Sequence, residues 1–215
     1  MGNSEFNKPY PVRFAGNALA RWLVRRLGWH VQFDGLPGLQ GVLAVYPHTS
    51  NWDFVILVIV KAAIGIPVRF WAKDKLFRIP LLRAWLGWLG GVPVSRTAPC
   101  GVVAQAVDKL AQARAQRQYF WLALAPEGTR KRIPGWRSGF YQTALQAGVP
   151  LGLVRLDYRL REVAVLDFMH LSGDEAVDFR RIAAVYDGVV GRIPGNTSPI
   201  RLIDASVPRA DTIVK

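Results

Sequence analysis

The sequence predicts a single three-layer α/β domain, in which helices flank a mainly parallel or mixed sheet. Three observations predict it. Short apolar runs of strand length alternate along the chain with segments of helical period. The clearest of these runs, Val42 to Tyr46 and Gln118 to Ala125, are nearly continuous in apolar residues, as buried strands are. The length of 215 residues suits one sizeable domain, or at most two small ones, and a hydrophobic share of 51% with eight Trp supplies its core. Disorder over most of the length is excluded, and no internal repeat is present.

Taken in order, residues 1–11 read as a loose polar arm, 12–190 as the domain, and 191–215, where Pro, Gly and Ser accumulate, as a tail. From Val12 to Trp29 the pattern is helical: Ala15, Leu19, Trp22, Leu23 and Leu27 recur at three and four, Arg21, Arg25 and Arg26 form the polar side, and Gly28 is the stop. Such a basic amphipathic helix suits either the plane of an anionic bilayer or the surface of its own domain. A turn cluster at Asp34–Gly38 leads into the strand at Val42. Pro47 ends that strand, and Ser50 or Asn51 caps the helix that follows. Val68 to Ala72 is a further strand. Lys75 to Leu89, with Trp85 and Trp88 at helical spacing among Arg78 and Arg83, reads as a second interfacial helix or a buried one. Gly90 to Arg96 is extended, Val102 to Arg117 helical, Ser138 to Ala147 helical up to Gly148, and Val149 to Leu156 and Glu162 to Phe168 are strands. Ser172 and Glu175 form a capping box for a helix running to about Tyr186.

Charge narrows the partners. Lys and Arg number 28 against 15 Asp and Glu, a net charge of +13. That favours a polyanion: nucleic acid, an anionic membrane face or a phosphorylated substrate. Eight Trp tilt the choice to a membrane interface, so an anionic membrane surface is the expected partner and nucleic acid is not. The run from Phe54 to Phe70, broken by Lys61, Gly65, Pro67 and Arg69, falls short of the ~20 residues a bilayer requires. No secretory signal is evident. The expected location is cytoplasmic and peripheral, on the inner face of a membrane. Cys100 stands alone, so no intrachain disulfide is possible, and no spacing suits a metal.

Two stretches carry chemistry. His48 sits at the end of the first strand and Asp53 near the start of the next helix. On one continuous helix their side chains would diverge, so a bend must bring them together. A carboxylate beside an imidazole fixes its tautomer and makes it a better proton acceptor; alternatively Asp53 only complements the helix dipole. The second stretch, Pro126-Glu127-Gly128-Thr129-Arg130, follows the strand ending at Ala125. Gly128 permits an unusual backbone angle, Thr129 offers a hydroxyl and Arg130 a planar fork that matches phosphate. In an α/β sheet both loops can open on the carboxyl side.

Together they resemble the glycerophospholipid acyltransferase family, whose best-known members are lysophosphatidic acid (1-acyl-sn-glycerol 3-phosphate) acyltransferases. That family carries a His-x4-Asp block and a Phe-Pro-Glu-Gly-Thr-Arg block, matched by His48 and Asp53 and by Pro126 to Arg130. Two weaker blocks match Gly90 to Arg96 and Val149 to Leu151, all in the family's order. Ala125 stands for the usual Phe, Pro93 and Val94 for Phe and Ile, and Lys131 for a common Ser. The resemblance implies transfer of a fatty acyl group from a thioester, acyl-CoA or acyl carrier protein, to a lysophospholipid hydroxyl, with no cofactor. His48 would be the general base and Asp53 its orienting acid. Arg96, Glu127, Gly128, Thr129 and Arg130 would form the acceptor site, the arginines binding phosphate and Glu127 holding an arginine. The acceptor expected is 1-acyl-sn-glycerol 3-phosphate; alternatives are another lysolipid, such as a lyso-ornithine lipid or lysophosphatidylglycerol, or a basic membrane-surface protein without catalysis.

Overall fold

Parallel strands need crossovers, and this chain supplies a helix for almost every one. The computed structural model describes residues 10–73, 77–94 and 101–203. In chain order the elements are α1 (Ala18–Arg26), β1 (His30–Phe33), β2 (Gln40–Tyr46), α2 (Asn51–Ile64), β3 (Arg69–Lys73), α3 (Pro80–Leu89), β4 (Gly91–Val94), α4 (Gly101–Ala115), β5 (Phe120–Leu124), α5 (Gly139–Ala147), β6 (Leu151–Asp157), β7 (Glu162–Met169) and α6 (Glu175–Val185). The strands form one seven-stranded open sheet in the order β1-β7-β6-β2-β5-β3-β4. Every neighbouring pair is parallel except the β6–β7 hairpin, which is antiparallel with a register shift at Leu153/Val154. The expected α/β class and mixed, mostly parallel sheet are what the chain adopts.

The central strand β2 shows why its sequence is apolar from Val42 to Tyr46. Leu43 and Val45 point into a core shared with Val24, Ile56, Val60 and Trp121, beneath α1 and α2. Val42, Ala44 and Tyr46 point the other way, into a core with Leu110, Phe140, Phe179 and Ile182 beneath α4, α5 and α6. With helices on both faces, every position of the strand from Gly41 to Tyr46 is buried.

Three expectations are corrected. The helix expected from Val12 begins only at Ala18: Asn17 caps it, accepting from the Ala20 amide at 3.1 Å. The residues before it are extended, with Val12 bridged to Leu36 and a Cβ on Gly16 falling 1.7 Å from the Ala63 carbonyl oxygen. Only glycine lets that backbone lie against the end of α2. At α6, Asp174 rather than Ser172 is the N-cap, taking the Ala176 and Val177 amides. Ser172 instead donates its hydroxyl to the buried Asp178. Residues 191–203, expected to be part of a tail, pack into the structure: Trp136 bridges to Leu202, and the Ile203 amide donates to the Trp136 carbonyl at 2.9 Å. Strand β1, at the sheet edge beside β7, is an addition that the sequence reading lacked.

Candidate active site

The site forms where three neighbouring strands deliver their next residues to one end of the sheet. β2 lies between β5 and β6, with Ala44 level with Leu124 and Tyr46 level with Arg155. The loops after β2 and β5 therefore emerge side by side, as the sequence suggested, and the hairpin after β6 joins them.

The chain leaves β2 through a cis Tyr46–Pro47 peptide and stays extended until Ser50, whose hydroxyl accepts the Trp52 amide at 3.2 Å and starts α2. Asp53 closes the capping box, its Oδ2 accepting the amides of Thr49 at 2.7 Å and Ser50 at 2.9 Å. The same oxygen meets His48 Nδ1 at 3.1 Å. One carboxylate thus both caps the helix and meets the imidazole, and the bend that joins them is the cap itself. Asp53 Oδ1 accepts from the Tyr158 hydroxyl at 2.8 Å.

Asp53 is fully buried, whereas the His48 side chain keeps 24% of its surface in solvent. Burial alone would raise the Asp53 pKa, but hydrogen bonds from His48, Ser50, Tyr158 and Thr49 outweigh it and hold the carboxyl below its ordinary range. An ionised carboxylate only accepts, so Nδ1–H of His48 is the donor of this bond, and in the neutral ring the lone pair then lies on Nε2. That is the tautomer a general base needs.

Glu127 behaves otherwise than expected. It is fully buried, and its oxygens accept the backbone amides of His48 at 2.6 Å and Ser198 at 3.0 Å. It holds backbone rather than an arginine or a phosphate, clamping the β5 loop, the His48 loop and residues 191–203 together. Burial pushes its pKa up, and the bonds from His48 and Ser198 pull back only part of that rise.

Gly128 adopts φ +63°, the left-handed angle its sequence context suggested, and a Cβ there would fall 2.9 Å from Arg137 Cδ. Thr129 is half-buried, its hydroxyl accepting the Lys131 amide at 3.3 Å. Arg130 is exposed, and its guanidinium donates to Asn51 Oδ1 at the first turn of α2. The arginine is thereby tied to the residue two before Asp53. Arg96, like Cys100, lies outside the described residues.

Sequence reasoning missed Tyr158, Arg192 and Ser198. Arg192 places its guanidinium carbon 5.3 Å from the Trp52 ring centre and 5.9 Å from that of Tyr158. The backbone of Ile193 donates to Thr49 Oγ1, and Asn196 to the Thr49 carbonyl. No local pattern marks these residues, because each reaches the site only through the strand order. Among the described residues no group of His, Cys, Asp or Glu is arranged to hold a metal ion.

The two motif stretches thus bring together an imidazole paired with a buried carboxylate and a guanidinium bonded to the first turn of the next helix. The chain belongs to the acyltransferase family, whose sequence model matches residues 18–154 and so takes in both motif stretches. The resemblance carried by the ordered blocks agrees with it. No curated protein matches the chain. Among solved structures it is similar to the 1-acyl-sn-glycerophosphate (LPA) acyltransferase PlsC from Thermotoga maritima, at 17% identity and a TM-score of 0.49 over 78% of this chain and 75% of that one.

Proposed function

We propose that this acyltransferase moves a fatty acyl group from acyl-CoA or acyl carrier protein to the hydroxyl of 1-acyl-sn-glycerol 3-phosphate, giving phosphatidic acid. His48 Nε2 takes the proton of the acceptor hydroxyl as its oxygen attacks the thioester carbonyl. Asp53 stabilises the imidazolium that forms. The C–S bond breaks, and the proton passes from His48 to the departing thiolate. No protein nucleophile is required, because the thioester is already activated. Arg130 and Arg96 bind the acceptor phosphate, Gly128 and Thr129 shape the turn that carries Arg130, and Glu127 holds that turn to the His48 loop.

One observation carries this reading: His48 Nδ1 lies 3.1 Å from Asp53 while Arg130 bonds the residue two before that carboxylate. Purified protein given acyl-CoA and 1-acyl-sn-glycerol 3-phosphate should release free CoA and form phosphatidic acid. His48→Ala should lower kcat by about 10²- to 10⁴-fold; turnover within a few-fold of wild type would remove His48 as the base. Arg130→Ala should raise KM for phosphate-bearing acceptors and leave a phosphate-free lysolipid unaffected, which separates the acceptor classes.

The enzyme works as a peripheral protein on the anionic inner face of a membrane. Among the described residues no helix is long and apolar enough to cross one. Instead α1 buries Ala20 and Val24 while Leu19, Trp22, Leu23 and Leu27 stay exposed, and α3 exposes Leu81, Trp85 and Trp88. Arg21, Arg25, Arg26 and Arg83 are exposed on the same two helices. Large apolar side chains turned outward among arginines support interfacial docking.

A further inference from the structure

Asp53 divides its hydrogen bonds unevenly. Oδ2 takes His48 Nδ1 and the amides of Thr49 and Ser50, whereas the bond at Oδ1 comes from the Tyr158 hydroxyl at 2.8 Å. Tyr158 follows β6 directly, beyond the residues 18–154 that match the family, and bonds the carboxylate oxygen that the Thr49 and Ser50 amides do not take. Its ring is gripped on two sides. Trp29 meets it edge-on at 5.0 Å, and Arg192 lies over it at 5.9 Å. The Tyr158 amide also donates to the Val190 carbonyl at 2.8 Å, tying this position to the segment that carries Arg192.

We infer that Tyr158 is a positioning residue of the His48–Asp53 pair: by engaging Oδ1, it holds the carboxylate plane in the rotation that presents Oδ2 to the imidazole. The inference rests on the reading of His48 as the base. The terminal torsion of an aspartate is broad and two-fold, so its own rotamer preference does not fix that plane. Donors on both oxygens do. Without the hydroxyl, Oδ1 would be a buried anionic oxygen short of a partner. Burial and the bond to Asp53 push the phenol's pKa up, with Arg192 opposing, so Tyr158 stays a donor at working pH.

The charged groups around the pair come from three segments. They are His48 itself, Glu127 on the His48 amide, Arg130 on Asn51 and Arg192 over Tyr158. Asp157, next in sequence, is turned to the hairpin amides of Arg159 and Leu160. Tyr158→Phe removes one donor from Asp53 and, with the phenol oxygen, the acceptor of Arg192's hydrogen bond, while the ring that Arg192 covers stays. With the carboxylate plane free to turn, the Oδ2–Nδ1 bond weakens and the imidazolium loses stabilisation, so the acid limb of the pH profile should move downward.

The test pairs kinetics with NMR on Tyr158→Phe, which keeps the ring against Trp29. The expected result is a kcat lower by about tenfold, acceptor KM within twofold, and an acid limb of kcat/KM displaced to lower pH. The His48 ring resonances, assigned by their loss in His48→Asn, should move with it, to lower pH than in wild type. A folded variant with kcat within twofold and an unmoved His48 titration overturns the inference. The NMR arm needs no turnover, so it decides the role of Tyr158 even if the acyl acceptor has been misjudged.

Discussion

Asp53 and Glu127 are both fully buried carboxylates at one site, yet they bear on stability in opposite directions. The folded pKa of Asp53 is lowered, because the bonds from His48, Ser50, Tyr158 and Thr49 exceed the burial penalty. Its contribution is therefore present above the ordinary carboxylate range and is lost as pH falls through its folded value. The folded pKa of Glu127 is raised by burial, so its contribution is present at low pH and is lost as pH rises through that raised value. Urea denaturation across the acid range should show the advantage of wild type over Asp53→Asn growing with pH, to about 3 kcal/mol near neutrality. The advantage over Glu127→Gln should shrink over the rising limb; parallel curves would refute the assignment of opposite shifts. The pairing of His48 with Asp53 was legible in the sequence because its parts are five residues apart. The work of Glu127 was not, since the amides it accepts lie 79 and 71 residues away.

Among the elements, α2 positions the chemistry and its first turn is the sensitive part. Ser50→Ala removes the hydroxyl that accepts the Trp52 amide. The expected cost is about 1 kcal/mol of stability, together with a drop in kcat, because the same turn carries Asp53; a stability loss with unchanged kcat would detach the cap from the catalytic geometry. Helices α1 and α3 present the other function of elements. The period of α1 was readable, but its direction was not: Ala20 and Val24 face the domain, and the larger Leu19 and Trp22 face out. Periodicity finds a stripe without saying which partner covers it. Co-sedimentation with vesicles containing anionic lipid should fall as salt rises. Trp88→Ser, at a side chain 81% exposed, should weaken that binding by roughly tenfold while leaving thermal stability unchanged. Equal binding by the variant would place the docking surface elsewhere.

Across the whole molecule, the site is held shut by residues that the sequence suggested were peripheral. Ser198 donates its amide to Glu127 and accepts the Tyr46 hydroxyl on its carbonyl, while Ile193 and Asn196 fasten Thr49. A chain ending at Val190 should lose about 2 kcal/mol or more, lowering Tm by roughly 5 °C, and should lose turnover with it; full activity in that truncation would show the clamp to be dispensable. The sequence by itself determined the α/β class, most strands and helices, and the two motif loops, because backbone propensity, apolar period and cap chemistry act over a few residues. Only the tertiary structure decided that Tyr158, Arg192 and Ser198 belong beside His48. Their closeness depends on β2 lying between β5 and β6, a strand order set by packing across the whole sheet and written in no short stretch of chain.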